Sequence, residues 1–304
     1  MPDTAGTSGV FRNCRADRVF FRERAHAVPS RSPETLKRRL AGELNGEVTD
    51  VQPLNQIRGV SYRLQVSGLS LKAFRCNSHS SAGVVAQLLS ELRSTAPPVV
   101  PDVVLVHEDW LVVRWVDGQP LAASRPDDNA VALLDLLEAI HAHPVPAGLP
   151  RPPAVPPYVQ RLQQRVEQAP FRRTLGRALV GALHQVNRRM PTLGEEITLL
   201  HTDITPANVV KSADGHPMVV DNEALTFGSG RALDVWMAAA SLYPLTDQPR
   251  IREFVAGYER RLPGSGALDD AEWYTAVLWL RKALKSYEKR RFFKAQRYAF
   301  RVAE

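Results

Sequence analysis

The sequence predicts an α+β chain with two lobes, a small antiparallel sheet followed by a mainly helical part. Its 304 residues are about twice the usual length of a single domain. Short alternating or β-branched runs recur between residues 48 and 116, whereas helical periodicity covers residues 158–190 and 248–300. We therefore expect an N-terminal lobe over residues 32–117 and a C-terminal lobe over residues 118–304.

The N-terminal lobe follows an extension, residues 1–31, which is rich in Arg, Ser and Gly and is expected to be loose. A helix is expected to begin at Ser32-Pro33-Glu34, because Ser caps helices, Pro favours the first helical position and an acid favours the first turn. Ser67-Gly68 is a typical hairpin turn. The predicted strands are 48–54, 61–66, 69–75, 100–107 and 109–116, with a helix over 81–94 between the third and the fourth.

In the C-terminal lobe, residues 129–143 fit an amphipathic helix. Residues 144–157 include seven prolines, so they are expected to form an exposed loop. Two short apolar runs, 197–203 and 216–223, each end in acidic residues. A C-terminal helix rich in basic and aromatic residues is expected over 273–304, with its apolar stripe packed on the lobe.

The net charge of +7 is concentrated at the two ends of the chain. Residues 1–40 carry nine basic residues against four acidic ones, and residues 281–304 carry nine against two, which leaves −5 for residues 41–280. Because the body is acidic, the total charge does not exclude a cationic ligand. The basic tail has a second interpretation, a docking surface for an anionic partner, whereas helical spacing of its aromatic residues argues against nucleic acid.

Composition also excludes several classes of protein. No apolar run reaches 18 residues, which argues against a transmembrane helix, and the first 25 residues carry charges throughout, which argues against a secretory signal. Two cysteines are too few for a disulfide framework or a structural zinc site. We expect a cytoplasmic protein.

The two apolar runs of the C-terminal lobe carry the pattern that indicates chemistry. The first leads into His201, Asp203 and Asn208 in the spacing HxDxxxxN, and the second delivers Asp221 thirteen residues after the Asn. This set suits phosphoryl transfer, with Asp203 orienting an acceptor hydroxyl and with Asn208 and Asp221 as oxygen ligands of Mg²⁺. A polar turn between two strands is the alternative interpretation.

With these motifs the chain resembles the aminoglycoside phosphotransferase and choline kinase group, which has a protein-kinase-like fold. That group has a catalytic His-x-Asp-x-x-x-x-Asn loop, a metal-binding Asp on the next hairpin, and a Gly-containing loop that leads to another Asp. Here the last element is Phe227-Gly228 through Asp234. The resemblance implies that Asp234 braces the catalytic loop, and in this position His201 is expected to do the same rather than to transfer protons.

The resemblance also implies ATP as cofactor and a set of nucleotide-binding residues. The phosphate-covering loop is expected between the first two strands, with Gly59 and Ser61. Lys72, on the third strand, is expected to contact the ATP phosphates. Backbone groups from Arg114 to Val116 correspond to the strand and hinge that hydrogen-bond adenine.

A lysine in this role has a carboxylate partner on the following helix. The group usually carries that carboxylate early in the helix, but the early positions here are Ala82-Gly83-Val84. Glu91, nineteen residues after Lys72, is the acid that remains, with Gln87 as a polar substitute. If neither reaches Lys72, ATP alone holds the ammonium.

Departures from protein kinases narrow the substrate class. Kinases acting on Ser/Thr carry a Lys two residues after the catalytic Asp, and tyrosine kinases carry an Arg four residues after it. Thr205 and Ala207 stand at those positions, and no Ala-Pro-Glu segment follows. The chain also has no GxxxxGK[ST] motif.

Three hypotheses follow from the sequence. The first is an ATP- and Mg²⁺-dependent kinase that phosphorylates a hydroxyl of a small molecule, such as an antibiotic, another natural product, a sugar or an amino alcohol. The second is a kinase acting on Ser or Thr of an acidic peptide, as in the maturation of peptide natural products. The third is a pseudokinase that serves as a binding module.

Overall fold

The computed structural model describes most of the chain from residue 37 onward. The described ranges are 37–38, 40, 42–44, 46–54, 61–76, 81–121, 126–150, 152, 155–168, 173–192 and 196–302. The expected N-terminal extension, the start of the first helix and Gly59 lie outside these ranges.

The first lobe is a five-stranded antiparallel sheet with one long helix, as the sequence predicts. Its strands pair in the order β1-β2-β3-β5-β4, and the helix α1 follows β3. Ser81 begins α1, because its side chain accepts a hydrogen bond from the backbone N–H of Val84. The bounds are β1 Val48–Pro53, β2 Ser61–Val66, β3 Leu69–Arg75, α1 Ala82–Arg93, β4 Val103–His107 and β5 Trp110–Arg114.

Successive side chains of these strands point to opposite faces of the sheet, and both faces carry buried apolar residues. One face of the sheet buries side chains such as Leu64 and Leu71 in a small cluster with Leu40. The other face carries Phe74 and Leu111, and the apolar stripe of α1 covers it. Because α1 turns only apolar side chains toward the sheet, it presents its polar residues to solvent.

The second lobe contains seven helices among the described residues, and five short strands. The helices are α2 Pro126–Ala142, α3 Pro157–Gln168, α4 Arg173–Arg188, α5 Arg231–Leu242, α6 Gln248–Arg261, α7 Ala271–Glu288 and α8 Phe292–Phe300. The strands are β6 Gly118–Pro120, β7 Thr198–Leu200, β8 Val209–Ser212, β9 Pro217–Val219 and β10 Thr226–Gly228. β8 pairs with both β6 and β9, and β7 pairs with β10.

The sequence did not predict β6, β8, β10 or α5. The strands have three or four residues, which is too short for an alternating pattern to appear. α5 buries eight of its twelve residues, so its sequence has no polar face to reveal a helical period.

The expected C-terminal helix over 273–304 is instead two helices, α7 and α8. Arg290 adopts a left-handed conformation with φ of 56°. The N–H of Arg291 bonds to the carbonyl of Ser286 at 2.8 Å, which is the closing bond of a Schellman motif. α7 packs against α3, α4, α5 and α8, so the predicted packing of its apolar stripe on the lobe is observed.

Within the described part of the chain, no helix is both long and apolar enough to cross a membrane.

Candidate active site

The catalytic loop predicted around Asp203 lies between β7 and β8 and ends in the 3-10 turn Pro206–Asn208. Asn208 donates from Nδ2 to the backbone oxygen of Asp203 at 3.0 Å and to its Oδ2 at 3.2 Å. These two bonds fix the Asp203 side chain relative to its own backbone. The side chain is still 41% exposed, so its carboxylate is accessible to a ligand.

Asp234 holds the backbone of this loop, in the arrangement that the family resemblance implies. It lies buried in the first turn of α5, where its oxygens accept hydrogen bonds from the N–H groups of His201 and Thr202, each at 2.7 Å. Nε2 of His141 lies 3.3 Å from the same carboxylate. Burial opposes ionisation, but the hydrogen bonds, above all the one from His141, outweigh it and hold the pKa of Asp234 below its usual value.

His201 is fully buried beneath the loop. Its Nε2 lies 3.2 Å from Oδ1 of Asn222, and its Nδ1 has no hydrogen-bond partner among the described residues. Burial lowers the pKa of His201, since a charged imidazole would lose its hydration. A neutral and enclosed ring fits the bracing role expected from the sequence better than proton transfer to a substrate.

Asn208 and Asp221, the predicted metal ligands, line the same cavity. The N–H of Val220 bonds to the carbonyl of Asn208 at 2.9 Å, which connects the two loops that carry them. The Nδ2 of Asn208 donates to Asp203, so the Oδ1 of Asn208 points away from Asp203. A carboxylate and an amide oxygen are ligands that suit Mg²⁺.

The described residues contain no cluster of three or more His, Cys, Asp and Glu side chains with the spacing of a metal site. Mg²⁺ bound with a nucleotide takes one or two carboxylates and completes its shell with phosphate oxygens and water. Asp221 and the Oδ1 of Asn208 are ligands of this kind.

Lys72 connects the sheet lobe to the loop that carries Val220 and Asp221. Its ammonium donates to Oδ1 of Asp221 at 2.9 Å and to the carbonyl of Val220 at 2.9 Å, and its side chain is 10% exposed. The Lys72 ammonium thus lies at the edge of the cavity where the oxygen ligands are.

The structure does not bring Glu91 to Lys72, contrary to the pairing considered from the sequence. Glu91 lies in the last turn of α1 with its side chain 48% exposed, and its Oε2 is 3.8 Å from Nε2 of His143. Gln87, one turn earlier, is exposed as well. Both residues belong to the solvent face of α1, since the face toward the sheet is apolar.

One cavity of about 600 Å³ unites most of the predicted nucleotide-binding residues, a volume typical of small-molecule sites. Of the expected residues, the cavity lining includes Ser61, Lys72, Arg114, Val116, Asn208 and Asp221. Apolar side chains, among them Val113 and Val210, line another part of the same cavity.

Arg63 is a cavity residue that sequence reasoning missed. Its guanidinium carbon lies 4.5 Å from the centre of the Trp115 ring, and its Nη2 is 3.4 Å from Oγ of Ser70. The Nε of Arg63 is buried with no partner in the described part of the chain. Alternation along β2 gives no signal that distinguishes this arginine from a solvent-facing one.

Arg281 is the second missed residue, and it contacts Asp203 directly. Its Nη2 donates to Oδ1 of Asp203 at 2.8 Å. By position in the chain, Arg281 belongs to the basic tail. A signal was present, because Arg281 lies one turn after Val277 and directly after Leu280, which belong to the packed stripe of the helix.

A model of the phosphotransferase enzyme family matches residues 62–271, more than two thirds of the chain. The chain belongs to this family. The matched range contains Lys72, the catalytic loop and Asp234. The resemblance stated from the sequence is thereby confirmed, and with it the class of enzyme, a phosphotransferase. No curated protein sequence matches the chain.

Solved structures of kinases share the fold of this family member at low sequence identity. Choline kinase LicA from Streptococcus pneumoniae has a TM-score of 0.62 and 16% identity, covering 89% of this chain and 98% of that chain. Aminoglycoside phosphotransferase APH(4)-Ia has a TM-score of 0.61 and 16% identity, with coverage of 90% and 97%. Choline kinase from Cryptosporidium parvum has a TM-score of 0.59 and 11% identity, with coverage of 90% and 94%. The predicted two-lobed protein-kinase-like fold is confirmed.

The buried neutral His201 predicts a pH dependence of stability. Its pKa in the folded state is lowered, so the unfolded chain binds the proton more readily once the pH falls below about 6.5. We expect the free energy of unfolding to fall between pH 7 and pH 5, with a smaller decline in His201→Gln, measured by urea denaturation at each pH. His216→Gln, at an exposed histidine, is the control and should decline like the parent. Equal slopes for His201→Gln and the parent would contradict this prediction.

The contacts of Lys72 and Glu91 predict opposite outcomes for their substitution. Lys72→Met removes the ammonium that is expected to contact the ATP phosphates. It should weaken nucleotide binding by about tenfold or more, which corresponds to the loss of one charge-assisted hydrogen bond. Glu91→Gln changes an exposed residue that pairs with His143, and it should leave the nucleotide Kd within twofold. Calorimetric titration with ATP and Mg²⁺ measures both. A similar loss in both variants would restore Glu91 to the nucleotide site.

Proposed function

We propose that the protein transfers the γ-phosphoryl group of ATP to a hydroxyl of a small molecule in the presence of Mg²⁺. The observation that carries this proposal is the convergence of Lys72, Asn208 and Asp221 on one cavity, with Asn208 bonded to the accessible carboxylate of Asp203. A phosphate-binding cation, metal ligands and an acceptor-orienting carboxylate are the parts that phosphoryl transfer requires.

The cavity suits a nucleotide in both its shape and its polarity. Its apolar part, near Val113 and Val210, suits the adenine ring. The backbone at Val116 is suited to hydrogen-bond the base edge, because the N–H groups of Arg114 and Trp115 are already bonded to the carbonyls of Asp102 and Ser70. Lys72, at the other part, suits the α- and β-phosphates. The solved neighbours include choline kinase LicA with AMP and the aminoglycoside phosphotransferase with ADP and hygromycin B.

Asn208 and Asp221 would hold the magnesium ion, which neutralises charge on the phosphates when bound. The rest of the chemistry belongs to the protein. Asp203 accepts a hydrogen bond from the acceptor hydroxyl and aligns its oxygen with the γ-phosphorus. As the new O–P bond forms, the bond from the γ-phosphorus to the bridging oxygen breaks and ADP leaves. The hydroxyl proton passes to the carboxylate of Asp203.

Substitution of Asp203 tests this assignment. Asp203→Asn preserves size but removes the proton acceptor, so kcat should fall about 10²- to 10⁴-fold. The nucleotide Kd should stay within twofold, because the cavity lining remains. Coupled ADP-release kinetics and calorimetry measure the two quantities. Asp214→Asn, at an exposed turn, is the matched control and should keep the parent kcat.

The outcome of the same experiment also addresses the pseudokinase hypothesis. A binding module would show equal, basal rates in the parent and in Asp203→Asn. The bonds of Asp203 to Asn208 and of Lys72 to Asp221 favour an active enzyme, since a protein without turnover has no requirement for this arrangement.

An acidic peptide is a second candidate acceptor, and exposed basic side chains on and before α8 favour it. Lys289, Lys294 and Arg297 are exposed there. Removing the tail is not an adequate test, because Ala295 and Val302 are buried in the core of the lobe. Substitution is therefore required.

Changing Lys289, Lys294 and Arg297 together to Gln leaves the buried residues of α8 in place. If the acceptor is an acidic Ser/Thr peptide, its KM should rise about tenfold or more in this variant, because charge attraction at the surface is lost. Turnover of a small acceptor should be unchanged. Peptide phosphorylation measured with labelled ATP distinguishes the two cases, and an unaltered peptide KM counts against docking on α8.

A further inference from the structure

Three arginines lie on the two helices that contact Asp203 and Thr202, and none of them lines the nucleotide cavity. Arg281 projects from α7 and bonds to Oδ1 of Asp203 at 2.8 Å. Arg161, on α3, donates from its Nη2 to the hydroxyl of Thr202, the residue before Asp203. Arg165 follows Arg161 by one helical turn, so both lie on the same face of α3.

This arginine group, Arg161, Arg165 and Arg281, is distinct from the cavity that fits the nucleotide. The cavity is lined by Asn208 and Asp221, whereas none of the three arginines is among its lining residues. Asp203 therefore lies between two regions, with Asn208 on the nucleotide side and Arg281 on the other. Because the attacking and leaving oxygens of phosphoryl transfer are roughly in line, the acceptor stands on the far side of the γ-phosphate from ADP.

Tyr158 is an independent sign that the arginine group belongs to a ligand site. Its ring lies 5.4 Å from the guanidinium carbon of Arg161. The side chain is buried, with 7% of the residue exposed, yet its hydroxyl has no hydrogen-bond partner among the described residues. Burial raises the pKa of Tyr158, and the charges of Arg281, Arg165 and Arg161 act against this rise.

The arginine group has more donors than the acceptors it contacts, which favours an anion. Arg281 bonds to Asp203, and Arg165 bonds to Glu288 at 2.7 Å. The charge of Asp234 also acts on Arg161, but the oxygens of Asp234 accept hydrogen bonds from the backbone N–H groups of His201 and Thr202. Each guanidinium has five N–H donors, and the bond from Arg281 to Asp203 uses one nitrogen, Nη2. Aminoglycosides and choline, for which the solved neighbours are named, are cationic and would meet repulsion here.

We propose that the acceptor is a compact hydroxyl compound with a carboxylate or phosphate group, and that Arg161, Arg165 and Arg281 bind this anionic group beside Asp203. The inference rests on the proposed phosphotransferase function and specifies its substrate class. Since Arg281 and Asp203 are in direct contact, the anionic group and the reacting hydroxyl of the acceptor are a few bonds apart. The arginine fork matches both carboxylate and phosphate geometry, so either group satisfies the site.

Acceptors matched in skeleton and different in charge provide the test. Glycerate and glycerol 3-phosphate carry the two anions, glycerol is neutral, and 3-amino-1,2-propanediol is cationic. Larger pools of hydroxy acids, sugar phosphates, neutral sugars and aminoglycosides extend each arm, and one further arm holds an acidic Ser peptide. We expect ADP release above basal hydrolysis with anionic small acceptors alone, and the carboxylate and phosphate arms identify which anion is used. Turnover confined to neutral or cationic acceptors, or to the peptide, would overturn the proposal.

Variants separate anion binding from support of the catalytic loop. Arg165→Gln is the variant least expected to disturb the catalytic loop, because Arg165 bonds to Glu288 and to neither Asp203 nor Thr202. We expect it to raise the KM of the anionic acceptor about tenfold or more with little change in kcat. Arg281→Lys should retain part of the affinity, since it keeps the charge but loses the fork. Arg252→Gln, at an exposed arginine on α6, is the matched control and should keep the parent KM. An unchanged KM in Arg165→Gln and Arg281→Gln would refute the assignment.

A binding measurement covers the case in which no acceptor pool is turned over. Thermal unfolding of the full chain with ATP analogue and Mg²⁺ should shift upward with the anionic compounds, and this shift should be lost in Arg165→Gln and Arg281→Gln. The absence of both turnover and shift overturns the proposal. Failure of the proposed function itself has a different signature, namely that neither nucleotide binding nor basal ATP hydrolysis is detected with any acceptor.

Discussion

The buried carboxylate of Asp234 is the interaction on which the geometry of the site depends. It accepts hydrogen bonds from the backbone N–H groups of His201 and Thr202, and it lies beside His141. This one side chain therefore connects its own helix α5 with the catalytic loop and with α2, which carries His141. A buried carboxylate without such partners is strongly destabilising, which ties the three elements together. Thr202 has a left-handed backbone with φ of 62°, and the bond to Asp234 holds it there. The turn that presents Asp203 follows from this constraint.

A second charge, the ammonium of Lys72, contributes to the contact between the lobes. The usual arrangement in kinases pairs this lysine with a carboxylate on the helix of the sheet lobe. In this chain α1 faces the sheet with apolar residues, and the ammonium bonds instead to Asp221 and the carbonyl of Val220. Asp221 therefore serves two cations, the lysine and the proposed magnesium ion. Because Lys72 lies on the sheet, its bond to Asp221 holds the sheet next to the loop that carries Asp221.

The positions of the charged residues matter more in this protein than its net charge of +7. Summed along the chain, the body is acidic and the C-terminal segment is basic. The packing of α7 brings Arg281 from that basic segment to Asp203, where it joins Arg161 and Arg165 from α3. The proposed acceptor site therefore takes its side chains from helices that lie more than a hundred residues apart in the sequence. A charge count by segment assigns these residues to different regions.

By itself the sequence determined the two lobes, the strands and helix of the first lobe, and the group of Asp203, Asn208 and Asp221, because strand alternation and motif spacing are local properties. It could not establish the partner of Lys72, since Glu91 is placed by the apolar face of α1 and not by its distance along the chain. Only the tertiary structure decided that Arg281 meets Asp203. That contact depends on how α7 packs against α3 and α5, which is a property of the assembled core and has no signature in any short stretch of residues.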